Sequence, residues 1–458
     1  MSDTSSNRPH VIVVGGGFAG MAAVRALRKA PVDVTLVDRH VYHTFQPLLY
    51  QVATAGLNPG DITYFLRSAR GKQKNVNFHM GAVSDVDATA QTITLDTGEQ
   101  LSYDFLVLSG GVTTNYFGVP GAAEHAMAMY TRKQALAVRD KLFADLEAAA
   151  ASGRSADDLR VVVVGGGATG VEMAGAVAEM RNGMMRTVYP ELDPAHVHIM
   201  LVEMGPHVLG PFAPKLRDYA AKQLLKRDID LRLSTSVKEV RSDSVVVNDG
   251  EVVPASMVVW ATGVTVDDEV HQYGLPQGRG GRIVVGRDLR VEGYENVFAA
   301  GDLAVTPDPL PQLAQPAIQG GKHVGKQIQA LVEGRPTKPF KYRDKGTMAT
   351  IGKYAAVAEI AHAPKMSGFI AWAIWLFVHI ISLLGNRNRL ATTVNLAGRY
   401  LAWPRTYNAI VGEVPTPEPG VQLGSRPDPG EVGGHSKSDE TAGDGATESP
   451  SAKDSSYA

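Results

Sequence analysis

Three observations predict an α/β chain with two dinucleotide-binding folds. A strand, a glycine turn and a helix occur in that order twice, as Val11-Ile-Val-Val-Gly-Gly-Gly-Phe-Ala-Gly-Met-Ala22 and Val161-Val-Val-Val-Gly-Gly-Gly-Ala-Thr-Gly-Val-Glu172, 150 residues apart. A third apolar run, Asn296-Val-Phe-Ala-Ala-Gly-Asp302, ends on an aspartate at a glycine turn. Two more, Tyr103-Asp-Phe-Leu-Val-Leu-Ser-Gly-Gly111 and Met257-Val-Val-Trp-Ala-Thr-Gly263, have the form of connecting strands that each close one fold. Short continuous apolar runs of this kind suit parallel strands buried on both faces.

Each glycine in the repeated turn has a physical task. The first (Gly15, Gly165) permits the tight turn, and the second (Gly17, Gly167) lets a pyrophosphate approach the backbone. The third (Gly20, Gly170) lets helix and strand pack closely, so that the helix N-terminus faces the anion. After the first turn, which opens its helix with Phe18 and Ala19, the strand Val32-Asp-Val-Thr-Leu-Val-Asp38 delivers a carboxylate for two ribose hydroxyls, followed by Arg39. After the second, the strand His198-Ile-Met-Leu-Val-Glu203 does the same. No arginine adjoins Glu203 to receive a 2′-phosphate, so the second nucleotide is expected to be NAD(H) rather than NADP(H). The Asp302 run resembles the motif by which flavoproteins with two dinucleotide domains hold the ribityl and pyrophosphate part of FAD. It assigns one non-covalent FAD to the first fold and NADH, as substrate, to the second.

Composition narrows the chemistry. At 458 residues and 44% hydrophobic, the chain can bury the cores of two or three domains. A net charge of -2 argues against a nucleic-acid partner. Cysteine is absent, which excludes flavoproteins that relay electrons through thiols, including those that reduce disulfides or oxidise sulfide. The 13 histidines show no metal-ligand spacing near the motifs, and no bundle of spanning helices with buried ionisable groups suggests a proton pump.

Beyond Asp302 lies Gln312-Leu-Ala-Gln-Pro-Ala-Ile-Gln-Gly-Gly-Lys-His323, which resembles the A-Q-x-A-x-Q segment of type II NADH:quinone oxidoreductases at Ala314, Gln315, Ala317 and Gln319. His43-Thr-Phe-Gln-Pro-Leu-Leu-Tyr-Gln-Val-Ala53 is similar to that family's loop under the flavin, and Asp344-Lys-Gly-Thr-Met-Ala349 extends the likeness. The resemblance implies non-pumping electron transfer from NADH through FAD to a membrane quinone, menaquinone or ubiquinone. It places Gln46, Gly110, Asp302 and Ala317 with the first-fold residues at FAD. Gly165, Gly167, Gly170, Glu172, Glu203 and Gly263 fall at NADH, with Gln315 and Gln319 at the quinone. Four apart on a helix, the two glutamines share a face; the alternative is that both bond backbone at the helix start, where Pro316 fits. Glu172, expected in the first turn of its helix, either positions the nicotinamide or protonates quinone. Lys345 is a weaker candidate, because Asp-Lys-Gly is also an ordinary turn. Two rivals remain: a soluble reductase for ferredoxin or rubredoxin, and a membrane-tethered NADH-sensing flavoprotein.

The expected organisation is two Rossmann-like folds, the NAD domain inserted in the FAD domain, plus a C-terminal membrane-binding domain. The boundaries are a disordered N-terminus at 1–8, FAD domain at 9–120 and 278–336, NAD domain at 121–277, membrane-binding domain at 337–412, and a disordered acidic tail at 413–458. The apolar segment Ser367-Gly-Phe-Ile-Ala-Trp-Ala-Ile-Trp-Leu-Phe-Val-His-Ile-Ile-Ser-Leu-Leu384 is too short to cross a bilayer. Arg387, Arg389, Arg399, Tyr400, Trp403 and Arg405 follow it as expected headgroup anchors. The N-terminus lacks a signal-peptide core. The expected place is therefore peripheral, on the cytoplasmic face of the inner or plasma membrane, against the lipid surface; a homodimer is left open.

Overall fold

The apolar run before each glycine turn is the central strand of a five-stranded parallel sheet. In the first sheet the order is Val297–Ala299, Phe105–Leu108, His10–Val14, Asp33–Asp38, Val76–Met80. In the second it is Ala126–Ala128, Met257–Trp260, Leu159–Val164, Val197–Val202, Asp230–Arg232. The two runs read as connecting strands pair directly with the central strand of each sheet, and Val297–Ala299 and Ala126–Ala128 form the edge beyond them. Residues such as Val11, Ile12, Val13, Val162 and Val163 are fully buried, as strands covered on both faces must be. The computed structural model describes residues 8–152, 159–248 and 250–402. The expected acidic tail, all but one residue of the expected N-terminal segment, and Trp403 and Arg405 lie outside the described residues.

A two-stranded antiparallel ribbon, Thr113–Thr114 with Val264–Thr265, joins the chain segments that leave the two sheets. Helix Ala314–Val332 packs along Phe18–Ala26 at backbone distance, because a Cβ on Gly321 would lie 1.9 Å from the Ala19 carbonyl oxygen. This brings the start of the glutamine helix beside the first glycine turn.

The C-terminal part begins with a three-stranded antiparallel sheet, Thr347–Gly352, Ala355–Glu359 and Met366–Ser367. It lies against helix Ala168–Glu179, where Gly175 leaves no room for a side chain: a Cβ there would be 2.2 Å from the Ile351 oxygen. Two helices follow, Phe369–Ser382 and Asn386–Ala397. The first has 14 residues, about 21 Å at 1.5 Å each, and no helix among the described residues is long and apolar enough to cross a membrane. Its sequence is apolar nearly all round, but the fold makes it two-sided. Ala371, Trp372 and Trp375 enter the core, whereas Phe369, Ile370, Phe377 and Ile381 are 48–64% exposed. Leu390 and Val394 of the next helix are also exposed, as are Arg387 and Arg389.

The expected anchors Arg399 and Tyr400 are buried instead. Arg399 pairs with Glu179 Oε2 at 3.3 Å and donates to Gln51, while Gln51 Nε2 donates to Tyr50 Oη at 2.9 Å. A buried guanidinium needs such partners, and they tie the end of the second helix to the loop and helix around Tyr50.

Candidate active site

The two glycine turns have the same geometry. Gly15 and Gly165 take φ of 95° and 111°, which only glycine adopts without strain. A Cβ on Gly20 or Gly170 would stand 1.8 Å from the carbonyl oxygen of Gly15 or Gly165, so the third glycine lets the helix close onto the turn. Nothing lies within 4 Å of the Cβ position of Gly17 or Gly167, which leaves backbone open to an approaching phosphate. The acids are held alike too. Asp38 accepts from Gly16 N at 2.5 Å and His40 N at 2.6 Å; Glu203 accepts from Gly166 N and Gly205 N, both at 2.6 Å.

Beside the first turn opens a long cleft lined by Gly15, Gly17, Phe18, Ala19, Asp38, Arg39, Gln46, Gly110, Asp302 and Ala317, so ten of the first-fold residues read from the sequence face one space. Gly20 lies behind it, packed on Gly15. Arg39 sits on the rim, paired with Asp267 at 3.0 Å and Glu269 at 3.3 Å. Burial raises the Asp302 carboxyl to about 6, opposed by the Arg282 charge. An elongated cleft with an open phosphate turn at one side and a partly desolvated acid at another fits FAD.

His43 was not singled out from the sequence, although it stands in the quoted loop. Its Nδ1 bonds the Gly16 carbonyl oxygen at 2.9 Å, its ring meets Phe18 edge-on at 5.1 Å, and burial lowers its pKa to about 4. A neutral histidine thus braces the glycine turn. Sequence alone offered no sign, because the contact spans 27 residues.

Glu172 lies at the fifth residue of its helix, not in the first turn, and looks toward the C-terminal part rather than at the helix end. It accepts from Thr350 N at 3.3 Å, and it is only 9% exposed. Burial raises its pKa to about 8, against smaller lowering by the Thr350 N–H and the Trp375 indole. The Trp375 Nε1 is buried on the same side and meets no partner at full hydrogen-bond geometry. Tyr50 is buried beside them, its ring 6.2 Å from that of Trp375. Trp375 also stacks on His379 at 4.1 Å. Tyr50 and Trp375 were inside quoted segments, but their convergence on Glu172 depends on tertiary packing.

Gln319 and Gln315 meet on one helix face, with Nε2 to Oε1 at 3.4 Å. Gln319 also holds the Arg343 backbone at both ends of its amide, donating to the oxygen at 3.0 Å and accepting from the nitrogen at 3.1 Å. The backbone-bonding alternative thus has an observed counterpart for Gln319, across 24 residues rather than at the helix start. Lys345 is exposed on a turn closed by Gly346 N to Asp344 Oδ1 at 2.8 Å. Among the described residues, no group of three or more His, Asp or Glu is placed to hold a metal ion.

Residues 9–321 match the pyridine nucleotide-disulphide oxidoreductase family, and residues 345–402 match the NDH2 C-terminal domain. The chain is 36% identical over 415 residues to a type II NADH:quinone oxidoreductase of Mycobacterium tuberculosis, covering 87% of this chain and 89% of that one. It is 30% identical to the type II NADH:quinone oxidoreductase of Staphylococcus saprophyticus, covering 78% of this chain and 90% of that one. In fold it resembles NDH2 from Plasmodium falciparum in complex with NADH, with a TM-score of 0.79 at 19% identity over 88% of this chain and all of that one. The sulfide:quinone oxidoreductase of Aquifex aeolicus has a similar fold, with a TM-score of 0.69 at 20% identity over 85% and 92%. On the identity and coverage of its relatives, together with both domain matches, the chain belongs to the type II NADH:quinone oxidoreductases.

Proposed function

We propose that the chain catalyses non-pumping transfer of two electrons from NADH, through one bound FAD, to a membrane quinone, with the acceptor reaching the flavin near the Glu172, Tyr50 and Trp375 cluster. The finer part rests on Glu172, buried between the second glycine-turn helix and the C-terminal part, where it accepts from Thr350 N and burial raises its pKa to about 8. The soluble and sensor rivals give no reason for such a carboxyl beside an exposed apolar helix.

Gly15, Gly17, Asp38, Gln46 and Asp302 hold FAD, which when bound supplies the hydride acceptor and the electron donor for quinone. Gly165, Gly167 and Glu203 bind and orient NADH, Glu203 through ribose hydroxyls. Glu172 holds a proton at its carboxyl for a quinone oxygen, with Thr350 N fixing its orientation. Trp375 and Tyr50 exclude water around it. Gln319 fixes the start of the C-terminal part through Arg343 and so shapes the acceptor side.

The exposed face formed by Phe369, Ile370, Phe377, Ile381, Leu390 and Val394, bordered by Arg387 and Arg389, seats the enzyme on a lipid surface. We place it peripherally on the cytoplasmic face of the inner or plasma membrane. Flotation with liposomes tests this: the wild-type protein floats, and a variant with Phe377, Ile381, Leu390 and Val394 changed to Ser stays at the bottom while keeping NADH oxidation by a water-soluble quinone. Flotation of that variant would refute the assigned face.

A further inference from the structure

Phe117 is a large apolar residue left 61% exposed, and it adopts the left-handed backbone region at φ 53°. That conformation disfavours a bulky side chain and persists only where its surroundings hold it. Asn115 supplies the hold. Its Oδ1 accepts from Phe117 N at 2.7 Å, its backbone N–H donates to the Gly263 carbonyl oxygen at 3.2 Å, and its backbone carbonyl oxygen accepts from the Trp260 indole at 2.9 Å.

The ring lies on Gly263, so that a Cβ there would be 2.4 Å from both Phe117 Cε2 and Cζ. Gly263 follows Thr262, and a Cβ on Gly165 would be 2.7 Å from Thr262 Cβ. Phe117 therefore stands within one residue of the segment abutting the second phosphate turn. Sheet order fixes the side: Glu203 ends the strand on one flank of Leu159–Val164, and Met257–Trp260 forms the other. With the pyrophosphate at the central turn and the adenosine ribose at Glu203, the other half of the dinucleotide lies on the Gly263 flank. On that flank the ribbon Thr113–Thr114 with Val264–Thr265 leads to the first cleft, which Thr113 lines.

We propose that Phe117 is a binding residue for the nicotinamide-ribose half of NADH, its ring forming the apolar wall of the second nucleotide cleft opposite Glu203. This rests on the second fold binding NADH. The backbone is held in advance, so the ring is presented without a backbone ordering cost at binding.

The test uses the full-length, FAD-loaded protein and two probes, NAD+ and ADP, which lacks the nicotinamide ribose. Phe117→Ala should raise the Kd for NAD+ about tenfold and leave that for ADP within about twofold by calorimetry. Phe117→Gly should show the same split with Tm at or above wild type, since glycine relieves the positive φ, and Phe117→Tyr should restore NAD+ affinity. Unchanged NAD+ affinity in Phe117→Ala, or equal weakening of both probes, overturns the proposal. A wild-type protein that binds neither probe would instead overturn the reading of the second fold, and the proposal with it.

Discussion

Glu172→Gln removes a proton that the fold holds at neutral pH while keeping an oxygen for the Thr350 N–H. Burial lifts the Glu172 pKa from 4.5 to about 8, and the gap corresponds to ~5 kcal/mol between the protonated and ionised forms at 1.36 kcal/mol per pKa unit. In the unfolded chain a glutamate ionises near 4.5. The stability this group contributes is therefore complete below pH 4.5 and is lost as pH rises through about 8. Glutamine has no proton to lose, so the stability of Glu172→Gln relative to wild type should grow across that window and then level. The full ~5 kcal/mol is an upper bound because relaxation around an ionised carboxyl reduces it. Catalysis should move the other way. If Glu172 gives its proton to quinone, reoxidation by quinone falls on the order of 10²-fold in the variant, while reduction by NADH stays near normal. Urea unfolding across pH and anaerobic stopped-flow for each half-reaction read both effects. A variant whose stability and reoxidation follow wild type at every pH would refute both the protonated state and the role.

Glu203→Ala should weaken NADH binding by about 1–2 kcal/mol through loss of ribose hydrogen bonds, read as a rise in KM for NADH; wild type should favour NADH over NADPH in kcat/KM. Gln319→Leu should slow quinone reoxidation more than NADH reduction, and also lower stability by about 0.5–1.5 kcal/mol through loss of its solvent-facing hydrogen bonds to the Arg343 backbone, measured by denaturant unfolding. Equal loss in both half-reactions would assign Gln319 to the fold alone. Arg399→Ala should destabilise by at most about 3–5 kcal/mol, because the buried Glu179 loses the first of its cations and keeps Arg227 and Lys353, and a shift of less than 1 kcal/mol would contradict that pairing. Removing 367–412 should not release a soluble, folded enzyme. Trp372 and Trp375 sit in the core and truncating either costs about 3–5 kcal/mol, so the deletion should yield misfolded protein rather than a soluble enzyme.

Local chemistry made the nucleotide sites legible. Gly15, Gly17 and Gly20 declare a turn because backbone geometry and helix packing demand glycine at those spacings, and Asp38 and Glu203 follow because each ends the next strand. The central strands were readable from their apolar runs, but their neighbours were not, since strand order depends on pairing across long separations. Arg399 looked like a headgroup anchor because it stands in a basic, aromatic stretch. Only the packing against Glu179 and Gln51 shows that it faces inward. Glu172 was visible as an acid near the second turn, but its direction came from Gly175 letting the C-terminal sheet dock so closely that Thr350 N reaches the carboxyl. Phe117 has no signature in sequence, because its meaning lies in a positive φ and in contact with a glycine 146 positions away.

In the proposed reaction electrons enter from NADH and leave to a quinone through one flavin without a thiol. Sequential anaerobic mixing of the FAD-loaded enzyme on liposomes, first with one equivalent of NADH and then with a long-tailed quinone, follows the flavin's visible absorbance through both events. The flavin should bleach on the first mix and regain its full colour on the second. Bleaching that persists with quinone and reverses with ferredoxin or oxygen would contradict the proposed reaction.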